Sequence, residues 1–173
     1  MGFGFIFGTL YYYTPYWNAD LTDSLKRNAD FYRFKPLKNN YMHLLHKELT
    51  ALILKTFYEV YNELGYGFLE KVYQNALFLE LKEKGLNVVP NKKIKVFYKG
   101  NNVGDYYSDL IVNDTVILEL KAAECVVEEF ETQLLNYLRA TDCVVGLLLN
   151  FGKKPEFRRK VFENNRKIRK NPF

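Results

Sequence analysis

YYSDLIVNDTVILELKA, residues 106–122, reads as a β-hairpin with charged residues placed on its strands. Leu110-Ile111-Val112 and Val116-Ile117-Leu118 are rich in β-branched residues, which suit a pleated surface. Asn113-Asp114 between them supplies turn chemistry. Side chains two apart on a strand share a face, so Glu119 and Lys121 point the same way. A charge buried without a partner is costly. Asp109 on the first strand adds a second acid to the problem, and a divalent cation would solve it while leaving Lys121 for a substrate. The plainer alternative puts Glu119 and Lys121 on the solvated face of an edge strand.

The hairpin register separates these alternatives. A two-residue turn at Asn113-Asp114 pairs Val112 with Thr115 and sends Asp109 and Glu119 to opposite faces, because one residue of slip reverses every side chain. A three-residue loop, Asn113 to Thr115, pairs Val112 with Val116 and sets Asp109 opposite Glu119. The metal reading therefore predicts an irregular hairpin, by loop length or bulge.

Outward from the hairpin, the rest of the chain limits the function classes. With 173 residues it is about one domain long. Hydrophobic residues make up 48%, enough for a core. A net charge of +5 favours a polyanionic partner. Cys125 and Cys143 have neither CxxC nor metal-ligand spacing, so free thiols in a cytoplasmic protein are expected. Two histidines, His43 and His46, are too few for a Ser/His/Asp or Cys/His system. No stretch approaches the roughly 20 apolar residues of a membrane span. The aromatic start, MGFGFIFGTLYYYTPYW, lacks the basic region and cleavage site of a secretory signal. Residues 1–41 show no sustained period beyond a weak helix at 20–31. They are read as an N-terminal aromatic extension outside the domain, which is expected over 42–173; the alternative is an aromatic arm that packs on that domain.

Within that domain Leu49, Leu52, Ile53, Phe57, Val60 and Leu64 follow helical spacing up to Gly65. A second helix is predicted over 68–84. Strands are predicted at 94–98, from about Val103 into the hairpin, and from Val116. A helix over 128–140 follows, with Gln133 beside Tyr137. Val144 to Leu149 is a continuous apolar run, as in a strand covered on both faces. The tail at 153–170 is basic and expected to be partly helical. The order α-α-β-β-β-α-β-α predicts an α/β fold with a mixed four-stranded sheet flanked by helices.

That order, with Asp and then Glu-x-Lys on successive strands, resembles the PD-(D/E)xK nuclease superfamily. Gly67, Glu70 and Tyr73 fit a G-x-x-E-x-x-Y pattern. With YKGNNVGDYYSDL, VILELKA, QLLNYLRAT and GLLLNFG, they make the chain similar to the GxxExxY protein family, a branch of that superfamily. The resemblance implies a restriction-endonuclease-like core that hydrolyses nucleic-acid phosphodiester bonds with Mg2+ or Mn2+, DNA before RNA. It implies Asp109 and Glu119 as metal ligands, with Glu70 as a helix-borne third that opens onto the same cleft as Lys121. Lys121 would be the catalytic lysine, with Glu70 and Gln133 assisting. Tyr73 and Tyr137 would line the cleft, with core packing the competing reading for each. Lys92, Lys93, Lys153, Lys154, Arg158 and Arg159 would grip phosphates, which gives affinity without sequence choice. The family commonly has an Arg where this chain has Tyr107, and often a His where it has Phe130. Those departures keep an alternative in view: a catalytically silent nucleic-acid-binding module, or an interaction subunit of a repair or defence complex. The reading needs no membrane and admits a homodimer.

Overall fold

The computed structural model describes residues 45–162. The chain divides into two units, Met1–Asn39 and Asn40–Phe173, and every described residue lies in the second. The helix expected at 20–31 and the basic tail past 162 fall outside the described residues.

Eight elements follow one another: α1 (Lys47–Leu64), α2 (Glu70–Glu83), β1 (Val88–Tyr98), β2 (Asn101–Val112), β3 (Val116–Lys121), α3 (Glu128–Ala140), β4 (Val145–Asn150) and β5 (Glu156–Val161). The strands form one sheet in the order β1-β2-β3-β4-β5. All neighbours are antiparallel except β3 and β4, which the α3 crossover makes parallel. The α/β class, the mixed sheet and the order of the first seven elements agree with a restriction-endonuclease-like core.

Two layers of helix cover the sheet. Ile53 and Phe57 of α1 and Tyr73, Leu77 and Leu81 of α2 pack on Leu110, Val112, Leu118 and Leu120. Leu134, Tyr137 and Leu138 of α3 pack on Ile111, Ile117 and Leu148 from the other side. Burying one such aliphatic chain contributes roughly 1.5–3 kcal/mol. This two-sided burial explains why β3 and β4 have almost no polar positions. Helix α2 ends where Gly85 takes φ 79°. Its N–H reaches the Lys82 carbonyl at 2.9 Å, and the Leu86 N–H reaches Leu81 at 3.1 Å, an αL stop that glycine makes cheaply.

The sheet has five strands, not four, because Glu156–Val161 of the expected helical tail is β5. It pairs with β4 from Val145↔Val161 to Asn150↔Glu156. As an outer strand it carries Arg158, Arg159 and Lys160, charges that blunt a sheet edge and hide its periodicity. β1 also starts earlier than expected, at Val88. It runs through Pro90, which the other edge strand tolerates because its missing N–H faces outward.

Candidate active site

The hairpin is irregular in the way a shared site requires. Asn113 and Asp114 have φ of 50° and 52°, as in an I′ turn. The Thr115 N–H donates to the Val112 carbonyl at 3.0 Å. Yet Val112 pairs with Val116, so Thr115 is an extra residue in the loop. The register continues through Ile111↔Ile117 to Leu110↔Leu118. One step further sets Asp109 opposite Glu119. The ladder stops there because the Asp109 Oδ2 accepts the Leu120 N–H at 2.7 Å in place of a backbone carbonyl.

Asp109 is also the point where β2 parts from β1. The register runs Pro90↔Leu110, then Lys92↔Ser108, leaving Asn91 and Asp109 unpaired. Asn91 takes φ 50°, which an asparagine tolerates, and this breaks the alternation of the strand. Val88 thus packs on the α1/α2 side while Ile94 packs on the α3 side. Gln74 of α2 closes the gap. Its Nε2 donates to the Asp109 carbonyl at 2.7 Å and to Asn91 Oδ1 at 3.2 Å, and its Oε1 accepts from Lys71 Nζ at 2.8 Å. This buried amide fixes the backbone of Asp109. No local sequence signal reveals that task, since it depends on a break in a distant strand.

Glu119 is 3% exposed, opposite Leu148 of β4 on the α3 side of the sheet. Lys121 Nζ donates to its Oε1 at 2.8 Å. Its Oε2 is buried without a hydrogen-bond partner. Burial first, then the charge of Asp109, pushes the Glu119 carboxyl up to about 7 against the pull of Lys121. Burial also raises Asp109, opposed by the Leu120 N–H and the charge of Lys121. Burial pulls Lys121 down, but the Glu119 carboxylate, with Glu70 and Asp109, outweighs it and the net direction is up. Lys121 is therefore engaged with Glu119, and its Nζ also lies 5.2 Å from the centre of the Phe130 ring. Phe130 thus gives the lysine a cation–π neighbour where the resemblance leads one to expect a histidine.

Two acids, one with an orphaned buried oxygen, suit a hard divalent cation. Mg2+ is usually held by one or two carboxylates and keeps several waters. Among the described residues no three His, Cys, Asp or Glu side chains gather closely enough to hold an ion together. Glu70, the first residue of α2, lines a cleft together with Asp109. That cleft, about 670 Å3, is lined by Leu69, Glu70, Lys71, Gln74, Asp109 and Ala122. Lys121 is not among the residues that line it. Glu70 is still felt as a charge by Asp109, Glu119 and Lys121.

The chain leaving Lys121 is pinned by Asn150, also missed in the sequence. Asn150 is fully buried, accepts the Ala123 N–H and donates to the Ala123 carbonyl, both at 3.0 Å. A Cβ at Gly152 would stand 2.1 Å from that carbonyl, so only glycine fits there.

The remaining expected residues divide. Gln133 Nε2 donates to the Tyr137 hydroxyl at 2.7 Å. Tyr137 is raised by burial, opposed by Gln133, and feels the charges of Glu119, Asp109 and Lys121. Tyr73, by contrast, cannot line a cleft. It is 0% exposed, stacks on Phe151 at 4.2 Å, and donates its hydroxyl to the Gly65 carbonyl at 3.0 Å. The basic residues do not form one patch. Lys92 pairs with Asp114 at 2.7 Å and Lys93 with Asp105 at 2.6 Å. Arg158 pairs with Glu131 and Glu156. Arg159 donates to the Leu45 carbonyl at 2.8 Å on the α1 side of the sheet. Lys153 and Lys154 lie in the loop after β4.

Comparison with known proteins places this geometry in context. A family model described as "PD-(D/E)XK nuclease superfamily" matches residues 47–160, well over half of the chain. No curated protein matches the chain. The crystal structure of SSO0001 is similar at 15% identity over 82% of this chain and 77% of that chain, with a TM-score of 0.41.

Proposed function

The chain belongs to the PD-(D/E)XK nuclease superfamily, and on that premise we propose that it is a Mg2+- or Mn2+-dependent nuclease of the GxxExxY branch, acting in the cytoplasm on DNA before RNA. Gly67, Glu70 and Tyr73 carry the assignment to the branch. The observation that carries the activity is Glu119: a buried acid beside Asp109, with one oxygen on Lys121 and the other unpartnered.

In this reading Asp109 and Glu119 hold the ion. When bound, the ion lowers the pKa of a water and offsets charge on the phosphoryl oxygens. Lys121 brings a cation to the phosphate, aimed by Glu119 and the Phe130 ring. A fixed donor of this kind is worth about 100- to 1000-fold in rate. Glu70, across the cleft from Asp109, accepts a hydrogen bond from the attacking water and orients it. Gln133 fixes Tyr137 at the edge of the site. Lys153 and Lys154 contribute phosphate contacts, and the paired Lys92, Lys93, Arg158 and Arg159 do so only by leaving their present partners. A homodimer is compatible with this arrangement.

A second reading, a silent nucleic-acid-binding module or an interaction subunit, draws on Tyr107 and Phe130 in place of polar residues. Cleavage separates the two. Purified protein should cut at least one of single-stranded, duplex or branched DNA or RNA with Mg2+ or Mn2+, and none with EDTA. Glu119→Ala and Lys121→Ala should each remove the cutting and keep cooperative unfolding. Equal cleavage by all three proteins would trace the activity to a contaminant.

A further inference from the structure

A second groove, about 550 Å3, runs between the far half of the β1–β2 hairpin and α3. Tyr106 and Tyr137 form one wall, with ring centroids 6.0 Å apart and planes at 54°. Tyr106 is 52% exposed, so little of its ring is spent on the core. Helix α3 presents the Thr132 hydroxyl and the side-chain amides of Gln133 and Asn136 to the same groove. Among the described residues Gln133 uses one N–H, on Tyr137, and Asn136 uses its Oδ1, accepting from Arg139 at 3.3 Å. An amide carbonyl and several amide N–H groups remain for a ligand. Glu128 and Glu129 stand at the rim against the single cation of Arg139. That balance repels a phosphate backbone and suits an uncharged guest. The groove lies on the side of the sheet that Glu119 faces, since Tyr137 shares a core cluster with Leu148, the partner of Glu119 on β4.

We propose that this groove takes one unpaired nucleobase of the substrate, stacked on Tyr106 and hydrogen-bonded by the α3 amides. Every base has a π face, so aromatic stacking tolerates any sequence, while amides match the mixed donor and acceptor edge of a base. A base inside a duplex is already stacked on both faces and paired along its Watson–Crick edge. The groove therefore selects nucleic acid that is single-stranded or splayed next to the cleaved bond. The inference deepens the nuclease reading and rests on it for the identity of the polymer.

Binding in EDTA tests it without requiring cleavage. The full chain is titrated into single-stranded DNA, single-stranded RNA and duplex DNA of one sequence, each carrying a fluorescent label. Tyr106→Ala should weaken single-strand binding by between about fivefold and about 150-fold, the range expected for one lost base stack. Duplex binding should be unchanged, and Tyr106→Phe should restore the single-strand affinity. A 2-aminopurine in the strand should be quenched by wild type and Tyr106→Phe but not by Tyr106→Ala. Loss on DNA alone, RNA alone or both supports the groove and says which strand it takes. An equal loss on duplex, no loss on either single strand, or no binding of any of the three overturns it. Tyr106 lies on the surface, and an unchanged melting curve verifies that Tyr106→Ala still folds. If the protein binds in this way but never cuts, the nuclease reading fails and the groove stands. If it cuts, yet Tyr106→Ala binds and cuts as wild type, the groove alone fails.

Discussion

Glu119 shows how a single residue can be legible in sequence and still gain meaning from structure. Its place two before Lys121 put both on one face, and its apolar neighbours implied burial. What remained hidden was the allocation of its oxygens, which depends on Lys121, Asp109 and the packing of α3. Phe130 is a similar case: the sequence displays a lost polar group, and only the geometry displays the aromatic face against Lys121. The raised carboxyl has a testable consequence for the metal-free protein. Folding moves Glu119 from the ordinary 4.5 to about 7, so the folded state favours the protonated acid. Its stabilising contribution is full below about 4.5 and is lost as pH rises through about 7. The loss is at most about 3 kcal/mol. In EDTA, urea unfolding of wild type should therefore show stability falling over that window, whereas Glu119→Gln should be flatter and firmer at pH 8. Mg2+ at pH 8 should stabilise wild type and not the variant. Parallel pH profiles for the two proteins would remove Glu119 as the strained group.

At the level of elements, the β2–β3 hairpin was readable because β-branched runs and Asn-Asp mark it. Its register was readable because only one pairing brings Asp109 and Glu119 together. β5 was not, since Glu156–Val161 has charges where a strand signal needs alternation. For Tyr73 the core reading holds and the cleft reading does not, because the same helix face presents Glu70 to the cleft and Tyr73 to the core, one turn apart. Gln74 was overlooked because its partners lie 17 and 35 residues away. Removing it should matter at both levels. Gln74→Ala takes away the side-chain donor of the half-buried Asp109 carbonyl, which costs on the order of 1–3 kcal/mol in urea unfolding with EDTA present. Groups that aim a ligand typically hold about 10- to 100-fold of metal affinity. Mn2+ titration followed by electron paramagnetic resonance should show a loss of that order for Gln74→Ala. Wild-type affinity in a folded variant would mean that Asp109 is held without the brace.

For the molecule as a whole, the described fold from α1 to β5 supplies its own two-sided core. We therefore expect a chain beginning at Met42 to melt within a few degrees of full length by calorimetry, given that 1 kcal/mol shifts the midpoint by about 2–4 °C at this size. A much larger fall would make residues 1–41 part of the domain. The unpaired step at Asn91 and Asp109 also reaches beyond geometry, into time. On β2, Leu110 to Val112 are sealed in the core, whereas Asn101 to Tyr107 are exposed apart from the half-buried Gly104. One strand thereby joins segments of very different local stability. Amide hydrogens of Leu110, Ile111 and Val112 should exchange with deuterium only when the entire domain opens. Those from Asn101 to Tyr107 should exchange through small openings that denaturant barely accelerates. The border between slow and fast hydrogens should fall at Asp109, so that the proposed ion sits where the protein stops behaving as a solid and begins to yield.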